Sequence, residues 1–284
     1  CLLAHKDLLD EFISHGYTTN YGSPMCRIGS LKLLIDGSLG GKTAFMREPY
    51  LNDPSTKGIA TMSQDELNEL LLTAQKKGLM ASLHSIGDGA MEMSLNAIEY
   101  AEMNCPRADM RHAIVHCQIS TDDLLKKFKK LNVVAHIQPA FIDTDMYIVE
   151  ERVGKEKTKT SYAWKTMHDL GIHMAFGSDS PVISLSVMEG LYCAVTRKDL
   201  AGNPENGWIP EQAISLYDAV YAYTMGGAYA SYDDGRKGSI TKGKYADMVI
   251  LDKNIFDIPE EEIKDTKLLK TILNGKIVYE RSLN

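Results

Sequence analysis

The sequence predicts an α/β fold: a parallel sheet of the (β/α)8 TIM-barrel type, followed by a small β appendage. Three observations carry this. Short apolar, β-rich runs alternate with amphipathic helical stretches. The strands are apolar at nearly every position, as expected when both faces of a parallel sheet are covered. Polar side chains follow the C-terminal end of strand after strand, which is where barrel active sites lie. A doubly wound sheet shares the alternation, but no GxGxxG follows any strand, which argues against a dinucleotide-binding enzyme.

The elements follow in order. LKLLID at 31–36 reads as a strand and SQDELNELLLTAQKKG at 63–78 as a helix. In that helix Ser63 and Glu66 form a capping box, Leu67, Leu70, Leu71 and Ala74 make the apolar face, and Gly78 ends it. LMASLHS at 79–85 is the next strand, 88–104 the next helix, and RHAIVHC at 111–117 the strand after it. A helix over 120–131 has Leu124, Leu125, Phe128 and Leu131 at helical spacing. NVVAHIQP at 132–139 is a strand, 160–171 a helix, and IHMAFGSDSP at 172–181 a strand with its turn. Two helices follow near 184–197 and 215–230. The tail changes character. Runs at 238–252 and 271–280 are short strands with turn glycines, and Asn274-Gly275 is a strong hairpin signal. Residues 1–232 are therefore expected to form a partial barrel and 233–284 a β-sandwich segment.

Composition narrows the function. The 284-residue chain has a net charge of −7 and no basic run long enough to suggest a nucleic-acid partner. KFKK at 127–130 lies on a predicted helix and reads as a solvated face. The five cysteines (Cys1, Cys26, Cys105, Cys117, Cys193) form no CxxC pair, and their odd number fits a reducing, cytoplasmic setting. No apolar run approaches the ~20 residues needed to cross a bilayer. The expected partner is a small-molecule substrate, with self-association open and neither nucleic acid nor membrane required.

The chemistry sits at strand ends. His84 closes LMASLHS, His116 closes RHAIVHC, Asp179 follows AFGS, and Lys32 lies within LKLLIDGS. Imidazole and carboxylate are the ligands of open, catalytic zinc sites. On chemistry alone these residues admit two readings, a metal site at a barrel mouth or structural side chains. His112 and His116 have the i, i+4 spacing of a helical zinc pair, but Ala-Ile-Val between them favours a strand and supplies no glutamate. His136 reads as a core side chain or a substrate contact. Asp36, Ser38 and Lys42 either face a substrate or shape their turn. Cys117 and Cys193 lack any context for nucleophilic work.

The segments LKLLIDGSLGGKTA (31–44), HSIGDGAM (84–91), RHAIVHCQ (111–118), QPAF (138–141) and GSDSP (177–181) resemble, in order, the motifs of the YtcJ-like branch of the amidohydrolases (amidohydrolase family 3). SITKGKYADMVILD and ILNGKIVYE resemble the β-sandwich segment that follows the barrel in that family. The resemblance implies that this chain carries the fourth to eighth barrel strands. It implies that His84 and His116 bind a divalent metal, taken as zinc in a mono- or binuclear site. Asp179 would bind metal and act as the general base. Lys32, carboxylated on its amine, would bridge two metals, because a carbamate is an anionic bidentate ligand whereas an ammonium repels a cation. The implied activity is hydrolysis of an amide or other non-peptide C–N bond in a small molecule. The alternative is a barrel of this type without catalysis, acting as a binding protein.

Two departures stand out. The family carries His-x-His on its first strand, and none of the eight histidines here forms that motif. Truncation of the first three strands is the simplest account, and it leaves the Lys32 strand as an exposed edge. Val115 also occupies the position, just before the metal histidine, where the family usually has glutamate.

Overall fold

A computed structural model describes residues 2–282; Cys1 lies outside the described residues. The chain packs as two compact units. The first comprises the chain up to Ile137 together with Asp145–His173; the second comprises Gln138–Thr144 and everything from Met174 onward.

The first unit holds five strands, β1 (Leu2–His5), β2 (Ile28–Leu34), β3 (Ala81–Ser85), β4 (Ala113–His116) and β5 (Val134–Ile137). Each pairs in parallel with the next in chain order. Between them lie α1 (Leu9–Ser14), α2 (Gln64–Lys76), α3 (Asp88–Asn104) and α4 (Asp122–Lys130). Sequential parallel strands with a helix in each crossover are the expected barrel connection. The strand lies where the apolar runs placed it, and β4 is buried at all four positions. In α2 the Ser63 hydroxyl accepts from the Glu66 N–H at 3.2 Å, while Leu67, Leu71 and Ala74 are buried. In α4 Leu124, Leu125 and Phe128 face inward. Its first turn carries Asp122 and Asp123 and its last turn three lysines, which suits the helix dipole. Lys127 and Lys130 both meet Glu99 of α3, at 2.6 and 3.1 Å. The basic run thus faces a neighbouring helix and solvent.

The structure corrects one expectation. The Lys32 strand is not an open edge, because Leu2–His5 pairs along it, with His5 opposite Lys32. Only Ala4 of this short strand is buried, so it shows no apolar period to read from sequence. Helix α5 (Ile142–Val153) was also unforeseen, although Ile142, Met146 and Val149 are buried at helical spacing. The helix expected over 160–171 shortens to α7 (Trp164–Asp169), after the single turn α6 (Lys155–Thr158).

Strand β6 (His173–Phe176) belongs to the second unit from Met174 onward, and α8 (Val187–Thr196) follows. The helix expected over 215–230 divides into α9 (Leu216–Tyr221), a π turn (Ala222–Gly226) and α10 (Gly227–Ala230). At Gly226 a Cβ would lie 2.1 Å from the Met174 carbonyl oxygen, so the backbones meet where only glycine fits. The tail forms an antiparallel sheet of β7 (Met248–Leu251), β8 (Leu268–Leu273) and β9 (Lys276–Glu280). Asn274 and Gly275 close the β8–β9 hairpin with φ of 49° and 79°, the left-handed pair of a type I′ turn. A 3-10 turn at Glu260–Asp265 buries Ile263 and packs on α8, where Lys198 meets Glu261 at 3.3 Å.

Candidate metal centre

Strand register sets the site. Leu34, His84, Val115 and His136 stand opposite one another across β2 to β5, and Lys32 stands opposite Ser82, one step earlier. The Ser85 hydroxyl meets Ser94 of α3 at 2.8 Å, so Ser85 faces the helices. Alternation then places Ser82 and His84 on the opposite face. The Ser30–Ser82 hydroxyl bond of 2.7 Å puts Lys32, two residues after Ser30, on that face too. Lys32, His84 and His136 therefore share one face of the sheet.

His116 is opposite Ser85, and strict alternation would turn it toward the helices. Its backbone instead has φ of 79°, and Cys117 has φ of 52°. This left-handed ending re-aims the imidazole, whose ring lies 4.5 Å from that of His84, edge to face. Non-glycine residues in this region cost of order 1–3 kcal/mol and cluster at functional sites.

Asp36 orients His84. Its carboxylate is fully buried and lies 3.0 Å from His84 Nδ1. It also accepts from the main-chain N–H groups of Phe45, Ile86 and Gly87. Gly87 is held so close to this turn that a Cβ there would lie 2.0 Å from the Phe45 carbonyl oxygen. With Nδ1–H donating to Asp36, His84 Nε2 carries the lone pair. This carboxylate–imidazole arrangement is the one that presents a ring nitrogen to a metal. Two adjacent imidazoles, one so oriented, fit half of a metal's ligand set. Among the described residues, no group of three or more His, Cys, Asp or Glu is arranged to hold a metal ion.

The other residues singled out in the sequence fall as follows. Asp179 lies in the second unit, three residues past β6, exposed in a turn with φ of 58°. His136 is pushed down to about 4 by burial and by the nearby Lys32 ammonium. His112 is structural: Nδ1 accepts from Ala81 N–H at 3.0 Å and Nε2–H donates to Gln75 at 2.9 Å. Ser38 and Lys42 shape their turn, Ser38 through Gly41 and Thr43, and Lys42 through an ion pair with Asp53 at 3.0 Å. Cys117 and Cys193 are free, buried thiols whose ionisation burial opposes, pushing Cys193 up to about 12.

Sequence reasoning missed two buried carboxylates. Asp36 was weighed only as a turn or substrate residue; its position just past a strand was the available signal. Asp88, the first residue of α3, is fully buried, meets Lys157 at 2.6 Å and accepts from Arg47 N–H at 3.0 Å. Nothing local to the Ile86-Gly87-Asp88 run or to Lys157 marks that pair.

Residues 1–279 match the amidohydrolase family. The chain belongs to that family. It is 33% identical over 283 residues to the YtcJ protein of Bacillus subtilis (strain 168), whose name assigns it to the amidohydrolases. That match covers 99% of this chain and 52% of YtcJ. The N-substituted formamide deformylase of Arthrobacter pascens is 28% identical over 262 residues, covering 92% of this chain and 47% of the enzyme. Among solved structures, an uncharacterized metal-dependent hydrolase from Pyrococcus horikoshii OT3 superposes with a TM-score of 0.78 at 31% identity. It covers 90% of this chain, which covers 50% of that one. The amidohydrolase chain described here thus spans about half the length of the relatives it matches. The likeness bears out the YtcJ-like reading and the partial barrel with a small sheet. No helix among the described residues is long and apolar enough to cross a membrane.

Proposed function

We propose that this chain carries the metal-binding and proton-transferring half of a hydrolase that cleaves an amide or other non-peptide C–N bond in a small molecule. The observation that carries the reading is the His84–His116 ring pair with Asp36 holding His84 Nδ1. The family membership and the name of the Arthrobacter relative, which specifies N-substituted formamides, support the bond class.

His84 and His116 would hold a divalent metal, taken as zinc because imidazole and carboxylate suit it. Asp179 and Lys32, if carboxylated on its amine, would be the further ligands this chain supplies. When bound, such a metal polarises a carbonyl and lowers the pKa of water from about 15.7 toward ~7. Asp179 takes the proton from the attacking water and delivers it to the leaving amine nitrogen. Asp36 keeps His84 in the tautomer that offers Nε2. His136 lies on the same face and would contact substrate, with burial disfavouring its protonated form. Residues 233–284 form one segment of a β-sandwich.

The test is metal analysis of the purified protein with a hydrolysis screen of N-substituted formamides and other N-acyl amines. Metal content that falls in His84→Ala, and amine release that falls roughly 10²–10⁴-fold in Asp179→Asn, are expected. Metal retained in full by the double variant His84→Ala/His116→Ala would refute the assignment.

A further inference from the structure

Two residues beyond His116, past the end of β4, Gln118 is almost wholly buried at 3% exposure. Its amide Nε2 donates to Asp145 Oδ2 at 3.1 Å. The Tyr162 hydroxyl donates to the same oxygen at 2.6 Å. The assignment of the amide is forced, since its oxygen turned toward the carboxylate would set two acceptors together. Asp145 lies on α5, which follows β5, so the cluster is built from the C-terminal ends of two adjacent strands. Among the described residues no donor reaches Gln118 Oε1, which is buried. Both donors to Asp145 land on Oδ2 and neither reaches Oδ1.

A purely structural network would close on itself. A buried acceptor left without a donor costs about 1–3 kcal/mol, and here it sits one amide's width from a half-buried carboxylate. Burial already raises the proton affinity of Asp145. Tyr162, which locks Oδ2, is held in a left-handed backbone with φ of 50° and accepts no ordinary strand or helix geometry. Its N–H is tied to the Gln118 carbonyl at 2.7 Å, so Gln118 and Tyr162 are fixed to each other twice over. The result is a buried amide oxygen without a donor, on a side chain whose nitrogen is fixed to the Asp145 carboxylate. An anionic or purely apolar ligand group would be repelled or would leave both acceptors unmet. A group with two or more N–H bonds satisfies both.

We propose that Gln118 Oε1 and Asp145 Oδ1 form a recognition site for an ammonium or primary amide N–H group on the substrate. This rests on the hydrolase reading for the word substrate, but the binding itself does not.

The experiment is a titration of the metal-free chain with methylammonium chloride, followed through side-chain amide resonances by 15N NMR. The Gln118 resonance is identified by its absence in Gln118→Leu. Tetramethylammonium, with the same charge and no N–H, is the control. A saturable shift of the Gln118 amide with methylammonium alone, weakened roughly tenfold or more in Asp145→Asn, is expected. No saturable shift, an equal response to tetramethylammonium, or unchanged affinity in Asp145→Asn would overturn the proposal. If Asp145→Asn fails to fold, the comparison of the two cations on the unaltered chain decides alone. Because no turnover is read, failure here leaves the hydrolase reading standing, and failure of hydrolysis leaves this site standing.

Discussion

At Asp36 one carboxylate accepts from His84 and from three main-chain N–H groups. Asn there keeps the size but turns an NH2 toward donors. Asp36→Asn is expected to cost about 1–3 kcal/mol of stability and to weaken metal binding roughly 10–100-fold. Urea unfolding and a metal titration measure the two; unchanged metal affinity would show that His84 needs no orienting partner. A second residue sets a pH response. Burial lowers His112 from 6.5 to about 4, so the folded state holds it neutral while the unfolded chain protonates it first. Its contribution is fully present above pH 6.5 and is lost as the pH falls from 6.5 through about 4. The loss amounts to about 3 kcal/mol. Unfolding free energies measured across that window should slope accordingly, and less steeply in His112→Gln.

At the level of elements, two glycines are fixed by different physics. Gly87, which precedes α3, has an ordinary φ of −79° but no room, with Phe45 oxygen 2.0 Å from any Cβ. Gly275 in the β8–β9 turn has open space but φ of 79°. Gly275→Ala should cost about 1–2 kcal/mol, the conformational penalty alone. Gly87→Ala should cost more, because the β3–α3 turn must shift and take its N–H from Asp36. Thermal melts of both variants decide the order, and a milder Gly87→Ala would mean that the turn yields easily. The Gly275 turn, like the α2 cap and the α4 apolar face, was legible in the sequence because it is local, whereas the constraint on Gly87 comes from Phe45, far away in the chain. Strand β1 and helix α5 were not read: the first buries a single residue, and the second lies between the strand run ending at Pro139 and the helix expected from 160, a stretch to which no element was assigned.

The whole chain exposes apolar side chains on its outer strands. Leu2 and Leu3 of β1 are 58% and 59% exposed, and Ile277 and Val278 of β9 are 54% and 58% exposed. Exposed apolar side chains on sheet edges favour association. Sedimentation velocity on residues 1–284 should show self-association that a single charge, Val278→Lys, reduces; a compact monomer at all concentrations would show that these edges are tolerated in water.

By itself the sequence determined the alternation of strands and helices, the hairpin in the tail, and the positions of His84 and His116 at strand ends, of Asp179 past a strand and of Lys32 within one. Those follow from local periodicity and from motifs a few residues long. Only the tertiary structure decided that His116 turns through a left-handed backbone to meet His84, that Asp36 is the partner of that pair, and that Gln118, Asp145 and Tyr162 converge. Asp36 and His84 are 48 residues apart in the chain, and Gln118 and Asp145 are 27 apart. Such contacts depend on strand register and crossover packing, and neither leaves a periodic trace in the residues that make them.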